Sequence, residues 1–236
     1  MPDENNTLER IISAGAAEFL SKGFQRASLR NIVKDAGVTT GAFYGYFSSK
    51  VELFNALAAP VDHFMEEYRK VQNMFASLPP ESQRSHLGVT SSSWMMDMID
   101  YLYENKTAFR LVLTCSEGTK YAAFMDEIVR IEVEATHKFY EVLRSQGINV
   151  PDIDQDLEHV IVSGMFASYF ELIIHDLPRE KSRDYVRQMY IFQAAGWSKL
   201  MGIPDVAGAD DLFTKTSKQA AAYKLRLQIN QRVSSG

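Results

Sequence analysis

Residues 28–47, SLRNIVKDAGVTTGAFYGYF, decide how the chain is read. Leu29, Ile32, Val33 and Ala36 fall at i, i+3, i+4 and i+7, the apolar face of a short helix that Ser28 can cap. Gly37 stops that helix, and a second short one runs from Thr39 or Thr40 to Tyr46. Leu29, Ile32, Val33, Val38, Phe43 and Phe47 are available to lock the pair together, the geometry of a helix-turn-helix. In that motif the second helix enters the major groove with its early residues facing base edges. Here those are Thr39, Thr40, Gly41, Ala42 and Tyr44, small or hydroxyl-bearing except for the tyrosine, so they can come close to a duplex. Two short helices also form corners of ordinary helical cores, and spacing alone leaves both readings open.

The flanks extend the helical pattern. Asn6 as N-cap with Glu9 three residues on predicts a first helix whose stripe is Leu8, Ile11, Ile12, Phe19 and Leu20, stopped by Gly23. Ser49 and Glu52 form a capping box that opens a long fourth helix, through roughly Met74. Pro79-Pro80 is the clearest break. Beyond it, helices are expected near 84–104, 105–115, 120–146, 154–176 and 180–202, with Gly147, Pro151, Pro178 and Gly202-Ile203-Pro204 as punctuation. A further amphipathic helix is expected at about 217–232, with Ala220, Ala221, Leu225, Leu227 and Ile229 among its apolar residues. No run alternates as a strand does, so the fold class is all-α.

The 236 residues suffice for one long domain or two short ones. Apolar residues at 46% and charged residues at 23% exclude a disordered or collagen-like chain. The lone Cys115 excludes an intrachain disulfide framework and a zinc site of several thiolates. The opening MPDENNTLER is acidic and polar, unlike a secretory signal, and the longest uncharged apolar run, Val160 to Phe170, is too short for a membrane span. A cytoplasmic protein is expected. The net charge of −5 hides an uneven distribution. Lys22, Arg26, Arg30, Lys34 and Lys50 face only Asp35 within residues 22–50, a net +4, while the remainder carries −9. A basic module on an acidic body suggests that one end meets a polyanion.

Residues 11–54, IISAGAAEFLSKGFQRASLRNIVKDAGVTTGAFYGYFSSKVELF, resemble the DNA-binding domain of the TetR (tetracycline repressor) family of transcriptional regulators. KGF follows the first helix, SLRNIVKDAGV crosses the turn, G-x-F-Y-x-Y-F forms the recognition helix, and S-x-K-x-E-L-F comes next. FQAAGWSKLMGI, residues 192–203, is similar to the end of a dimerisation helix in many members. The resemblance implies a three-helix DNA-binding domain over 1–50. A ligand-binding and dimerisation domain would fill 51–236, with helix 51–74 connecting and 205–236 as a C-terminal extension. It implies DNA contacts from Ser28, Thr39, Thr40, Gly41, Tyr44, Tyr46 and Lys50. The hydroxyls suit phosphates and base edges, and the Tyr44 ring suits a thymine methyl. Phe43 and Phe47 belong to the core by their spacing. Many members carry Lys or Arg where Thr40 stands and His or another polar residue where Gly45 stands, which leaves the operator sequence open.

For the body, the resemblance implies a homodimer, a palindromic operator and a small-molecule effector. Trp94, Met95, Met98, Tyr101, Tyr103, Phe109, Cys115, Phe124, Met125, Phe166 and Phe170 are the candidate lining for an apolar or aromatic ligand, although such a stripe also fills ordinary cores. Small residues Ser163, Gly164, Ala167 and Ser168 permit close helix approach, to a neighbour in the same chain or in a second copy; the resemblance implies the latter, a dimer interface formed with the helix that carries Gln193, Ala194, Ala195, Gly196 and Trp197. Ligand binding would shift the two heads out of register with the major grooves. Two other classes compete. One is a DNA-binding dimer controlled by a protein partner, with the tail after Pro204 as the feature that could serve it. The other is a helical di-iron protein, prompted by Glu134-x-x-His137; Glu171 and His175 have the wrong spacing for its second pair. Neither G-x-S-x-G nor H-E-x-x-H occurs, and no catalytic residue, cofactor or metal is expected.

Overall fold

Glycine and proline punctuate the helices much as their backbone constraints require. The computed structural model describes residues 4–203, and all regular structure among them is helical: α1 (Glu4–Arg26), α2 (Leu29–Asp35), α3 (Thr40–Tyr44), α4 (Lys50–Ala76), α5 (Pro80–Glu104), α6 (Lys106–Cys115), α7 (Phe124–Ser145), α8 (Gln155–Ile174) and α9 (Arg179–Leu200). The tail helix expected at 217–232, like the whole extension 205–236, lies outside the described residues. α1 is broken at Gly23, with φ 73° and ψ 161°, and makes one further turn to Arg26. It begins before Asn6, which is therefore an internal helical residue and not a cap; residues 4–8 contain no Gly or Pro to delay the start. Pro80 opens α5, a position where its missing N–H costs nothing.

The chain divides into two compact units. The first comprises Met1–Arg69, Leu102–Arg130 and Phe166–Asp176, the second Lys70–Tyr101, Ile131–Met165 and Leu177–Gly236. In the first, Ile11, Phe19, Phe24, Ile32, Phe43, Phe47, Leu53 and Phe54 are buried. The Phe54 ring meets Phe19 and Phe24 edge-on, each at 5.2 Å. A Cβ at Gly15 would lie 2.6 Å from Leu53 Cδ2, so glycine permits the close approach of α1 to α4.

The start of α2 departs from expectation. Ser28 occupies the N-cap position in extended backbone, but its side chain makes no capping bond. Its N–H instead donates to Glu18 Oε1 at 3.0 Å, and the same oxygen accepts from Asn31 Nδ2 at 3.0 Å and Lys22 Nζ at 3.1 Å. A carboxylate from α1 thus does the capping, placing negative charge at a helix N-terminus. Burial pushes the Glu18 carboxyl up, but the N–H of Ser28, the amide of Asn31 and the Lys22 ammonium together hold it below the ordinary carboxylate value. Its contribution is therefore present above the unfolded pKa and fades as pH falls through the lower folded value. Glu18→Ala leaves the Ser28 N–H and the Asn31 amide without this acceptor. Denaturant unfolding at neutral pH should show a loss of about 1–3 kcal/mol, and the variant should lose less of its remaining stability than wild type as the solution is acidified below about pH 4.

In the second unit, Phe139, Tyr140, Leu143, Val150, Met201 and Ile203 form a buried cluster, with Phe75, Leu87, Ile148, Ile153 and Trp197 packed against it. Arg179 and Arg183 both bind Asp100, joining α9 to α5. α8 is, by length and composition, the one helix among the described residues long and apolar enough to cross a membrane. This departs from the sequence expectation because Leu172–Ile174 extend the run Val160–Phe170 past the single charge of Glu171. Val162, Phe166, Tyr169, Phe170 and Ile173 of this helix are buried within the protein, as in a core helix.

Candidate nucleic-acid interface

The turn between α2 and α3 is closed by backbone bonds from Gly37 N to Lys34 O and from Val38 N to Val33 O, both 3.0 Å. Gly37 takes φ 63°, the left-handed conformation that glycine adopts without steric cost. Thr39 then caps α3, its Oγ1 accepting from Ala42 N at 3.1 Å. Phe43 and Phe47 are buried, and their rings lie 5.8 Å apart. That anchoring turns Thr39, Thr40, Gly41, Tyr44 and Gly45 to solvent, with Tyr44 54% exposed. Arg26, Arg30 and Lys34 are exposed on the same small module, so the local charge is positive.

The other expected contact residues behave differently. Ser28 and Tyr46 are half-buried. Lys50 Nζ donates to the carbonyls of Phe24 at 2.7 Å, Ala27 at 3.0 Å and Gln25 at 3.3 Å, and lies 4.5 Å from the Phe24 ring centre. All three ammonium donors are thereby engaged, and burial lowers the lysine pKa. Lys50 ties the start of α4 to the end of α1. Glu52 completes that start: its N–H donates to Ser49 Oγ at 3.2 Å, while its carboxylate accepts from the N–H and hydroxyl of Ser48.

Gly41 offers a separable test of the surface. A Cβ there would meet nothing closer than Thr39 Oγ1 at 3.9 Å, so the protein itself has room for alanine. Gly41→Ala should keep or raise thermal stability, by up to about 1 kcal/mol, because glycine is a poor helix former. If α3 lies against a duplex, the same change should weaken DNA binding, so stability and binding should move in opposite directions.

Of the candidate ligand-lining residues, Phe109, Phe124, Phe166 and Phe170 come together in the first unit, where Cys115 is also buried and Met125 half-buried. Ring centres are 6.5 Å apart for Phe109–Phe170, 5.5 Å for Phe124–Phe170 and 6.2 Å for Phe166–Phe170. Phe64 and Tyr68 of α4 join them, at 5.3 Å from Phe109 and 6.0 Å from Phe166 respectively. These two escaped the sequence reading, although their i, i+4 spacing was visible. Trp94, Met95, Met98 and Tyr101 belong to the second unit.

Among the candidate dimer residues, Gly164 and Ala167 are exposed, while Ser168, Gln193, Ala194 and Trp197 are half-buried, Trp197 against the Phe139–Ile203 cluster. The large exposed apolar residues of these two helices are Leu157 and Val160 on α8 and Tyr185, Phe192 and Leu200 on α9, with Phe192 at 80%. None of these was among the candidate interface residues expected from the sequence. Glu134 is exposed, and the His137 imidazole meets the buried carboxylate of Glu158, which was not foreseen as its partner. No group of three or more potential ligands able to hold a metal occurs among the described residues.

Comparison with known proteins places residues 11–57 in a match to a family described as bacterial regulatory proteins, tetR family. The HTH-type transcriptional regulator SrpR of Pseudomonas putida is 38% identical over 64 residues, 27% of this chain and 30% of that protein. The uncharacterised HTH-type regulator YvdT of Bacillus subtilis (strain 168) is 46% identical over 50 residues, 21% of this chain and 26% of that one. The alignment thus spans under a third of either relative's length. A solved gamma-butyrolactone receptor, an ArpA-like protein, superposes with a TM-score of 0.52 at 22% identity, covering 91% of this chain and 96% of that one. At that identity the likeness concerns the fold alone.

Proposed function

We propose that this chain, whose residues 11–57 match the tetR family of bacterial regulatory proteins, is as a whole a TetR-type DNA-binding transcriptional regulator without enzymatic activity, and that it is a cytoplasmic homodimeric repressor. It binds a palindromic operator through residues 1–50 and is released by a small apolar or aromatic ligand held within 51–236. The observation that carries this reading is the division of α3, with Thr39, Thr40, Gly41 and Tyr44 exposed and Phe43 buried. Thr39, Thr40, Gly41 and Tyr44 face the groove, with Ser28 and Tyr46 at its edge. Lys50 acts by holding α1 and α4 together, because its donors are engaged.

The homodimer is supported by the exposed apolar residues of α8 and α9, with a second copy as the occupant of both faces. Two heads related by a twofold axis read half-sites about 34 Å apart, one helical turn. The effector class is supported by the rings of Phe64, Phe124 and Phe170 around Phe109. A ligand there exchanges ring–ring contacts for contacts with itself, and a coupling of about 1–3 kcal/mol changes operator affinity 5- to 150-fold. The test is selection of bound duplexes from random sequences at stated salt, followed by a screen for compounds that release the winner. Enrichment of a palindrome and release by a planar apolar compound is the expected result. Enrichment with no releasing compound, but release by a protein from the same cell, would replace the ligand by a protein partner.

A further inference from the structure

The connection between α6 and α7 reaches back to the N-terminal helices, all within the first unit. Tyr121 buries its ring 6.1 Å from that of Phe54 on α4 and donates its hydroxyl to Asp62 Oδ2, also on α4, at 2.8 Å. Lys120 Nζ donates to the same oxygen at 2.9 Å. Three residues before Tyr121, Gly118 takes φ 84°, and a Cβ there would lie 3.2 Å from Gln25 Cγ, near the end of α1. The connection is itself braced. Thr119 Oγ1 donates to Ser116 O at 2.7 Å and accepts from Tyr121 N at 3.1 Å, and Phe124 N donates to Tyr121 O at 3.0 Å. Both of the helices that carry the DNA-reading pair are thus gripped by one stiff connection.

We propose that Asp62, Lys120 and Tyr121, with Gly118 seated on Gln25, form a clasp that positions the DNA-reading head and sets the half-site spacing the dimer accepts. This rests on the operator-binding reading above. The grip has the character of a positioning device. Asp62 and Lys120 are 54% and 57% exposed, so their ion pair adds little to stability, yet with the Tyr121 hydroxyl they converge on a single oxygen and fix the angle of α4. Burial, and then the negative charge of Asp62, push the Tyr121 phenol up to about 12, so the donor keeps its proton at ordinary pH. The clasp also begins where the buried rings end. Phe124, three residues beyond Tyr121, lies 5.5 Å from Phe170, and Phe54 beside Tyr121 lies 5.2 Å from Phe19 and Phe24 in the head. A change of packing around Phe124 therefore has a continuous mechanical route to the head.

The experiment uses the full-length protein and its selected operator, with duplexes whose half-site separation is one base pair longer or shorter. Wild type should discriminate strongly against both altered duplexes. Tyr121→Phe, which removes one hydroxyl and keeps the ring, and Asp62→Ala should retain the thermal midpoint, the dimer and the affinity for an isolated half-site. Their discrimination between spacings should fall at least about fivefold, with the double variant no worse than the worse single one. Should Asp62→Ala fail to fold, Tyr121→Phe decides. A folded Tyr121→Phe dimer with undiminished spacing discrimination would overturn the clasp alone. Absence of sequence-specific binding by wild type would overturn the operator reading, and the clasp with it.

Discussion

Replacing Tyr44 by alanine should weaken binding to the selected operator by about 5- to 150-fold, equivalent to about 1–3 kcal/mol, while the thermal midpoint stays within a few degrees of wild type. The two halves of this expectation come from the same geometry. Tyr44 is 54% exposed, and its ring approaches that of Phe43 edge-on at 5.6 Å, so truncation removes little from the core. On the groove side it is the largest side chain among the exposed early residues of α3. Because tyrosine is uncharged, the variant should release the same number of counterions as wild type, and the slope of log affinity against log salt should be unchanged. Tyr44→Phe separates the contributions: full affinity assigns the contact to the ring, reduced affinity to the hydroxyl. A Tyr44→Ala protein that unfolds would make the ring a structural element instead.

Phe109→Ala should cost about 3–5 kcal/mol, seen as a fall in thermal midpoint of about 6–20 °C. Phe109 is fully buried, and its ring meets Phe64 at 5.3 Å, Phe124 at 6.4 Å and Phe170 at 6.5 Å. Three rings lose a neighbour at once, and the flanking buried Leu111 and Val112 are fixed on the same short helix, limiting collapse into the void. The cavity so formed is apolar. Small aromatic compounds should bind it and restore part of the lost midpoint, since dry cavities of this kind take up such molecules. A loss below about 1 kcal/mol would mean that the ring is not packed as described.

The local grammar of the fold was legible in the chain. Gly37 ends α2, Thr39 caps α3, Ser49 and Glu52 open α4, and Pro79-Pro80 separates α4 from α5, because each signal acts within three or four residues of where it is written. The separation of Phe43 and Phe47 from Tyr44 followed from helical spacing in the same way. What could not be read was every interaction between distant segments. Glu18 replaces the hydroxyl of Ser28 from ten residues away, and Lys50 closes α1 from 23 to 26 residues away. Nothing in a spacing pattern chooses such partners; packing of α1 against its neighbours does. His137 was weighed against Glu134 on its own helix, yet the carboxylate it meets is Glu158 on α8. The exposed face of α9 illustrates a smaller failure. The resemblance pointed to Gln193, Ala194 and Trp197, whereas the most exposed large apolar side chain is Phe192, one position before Gln193, about 100° around the helix.

Hydroxyl-radical footprinting of the selected duplex, with wild type and Tyr44→Ala compared at equal concentration and salt, tests most directly whether two α3 helices lie in successive major grooves. The account predicts two protected patches on one face of the duplex, centred about one helical turn apart, for wild type, and both patches lost together at a concentration where Tyr44→Ala is still a folded dimer. A single patch, protection spread evenly along the duplex, or identical footprints from the two proteins would contradict it.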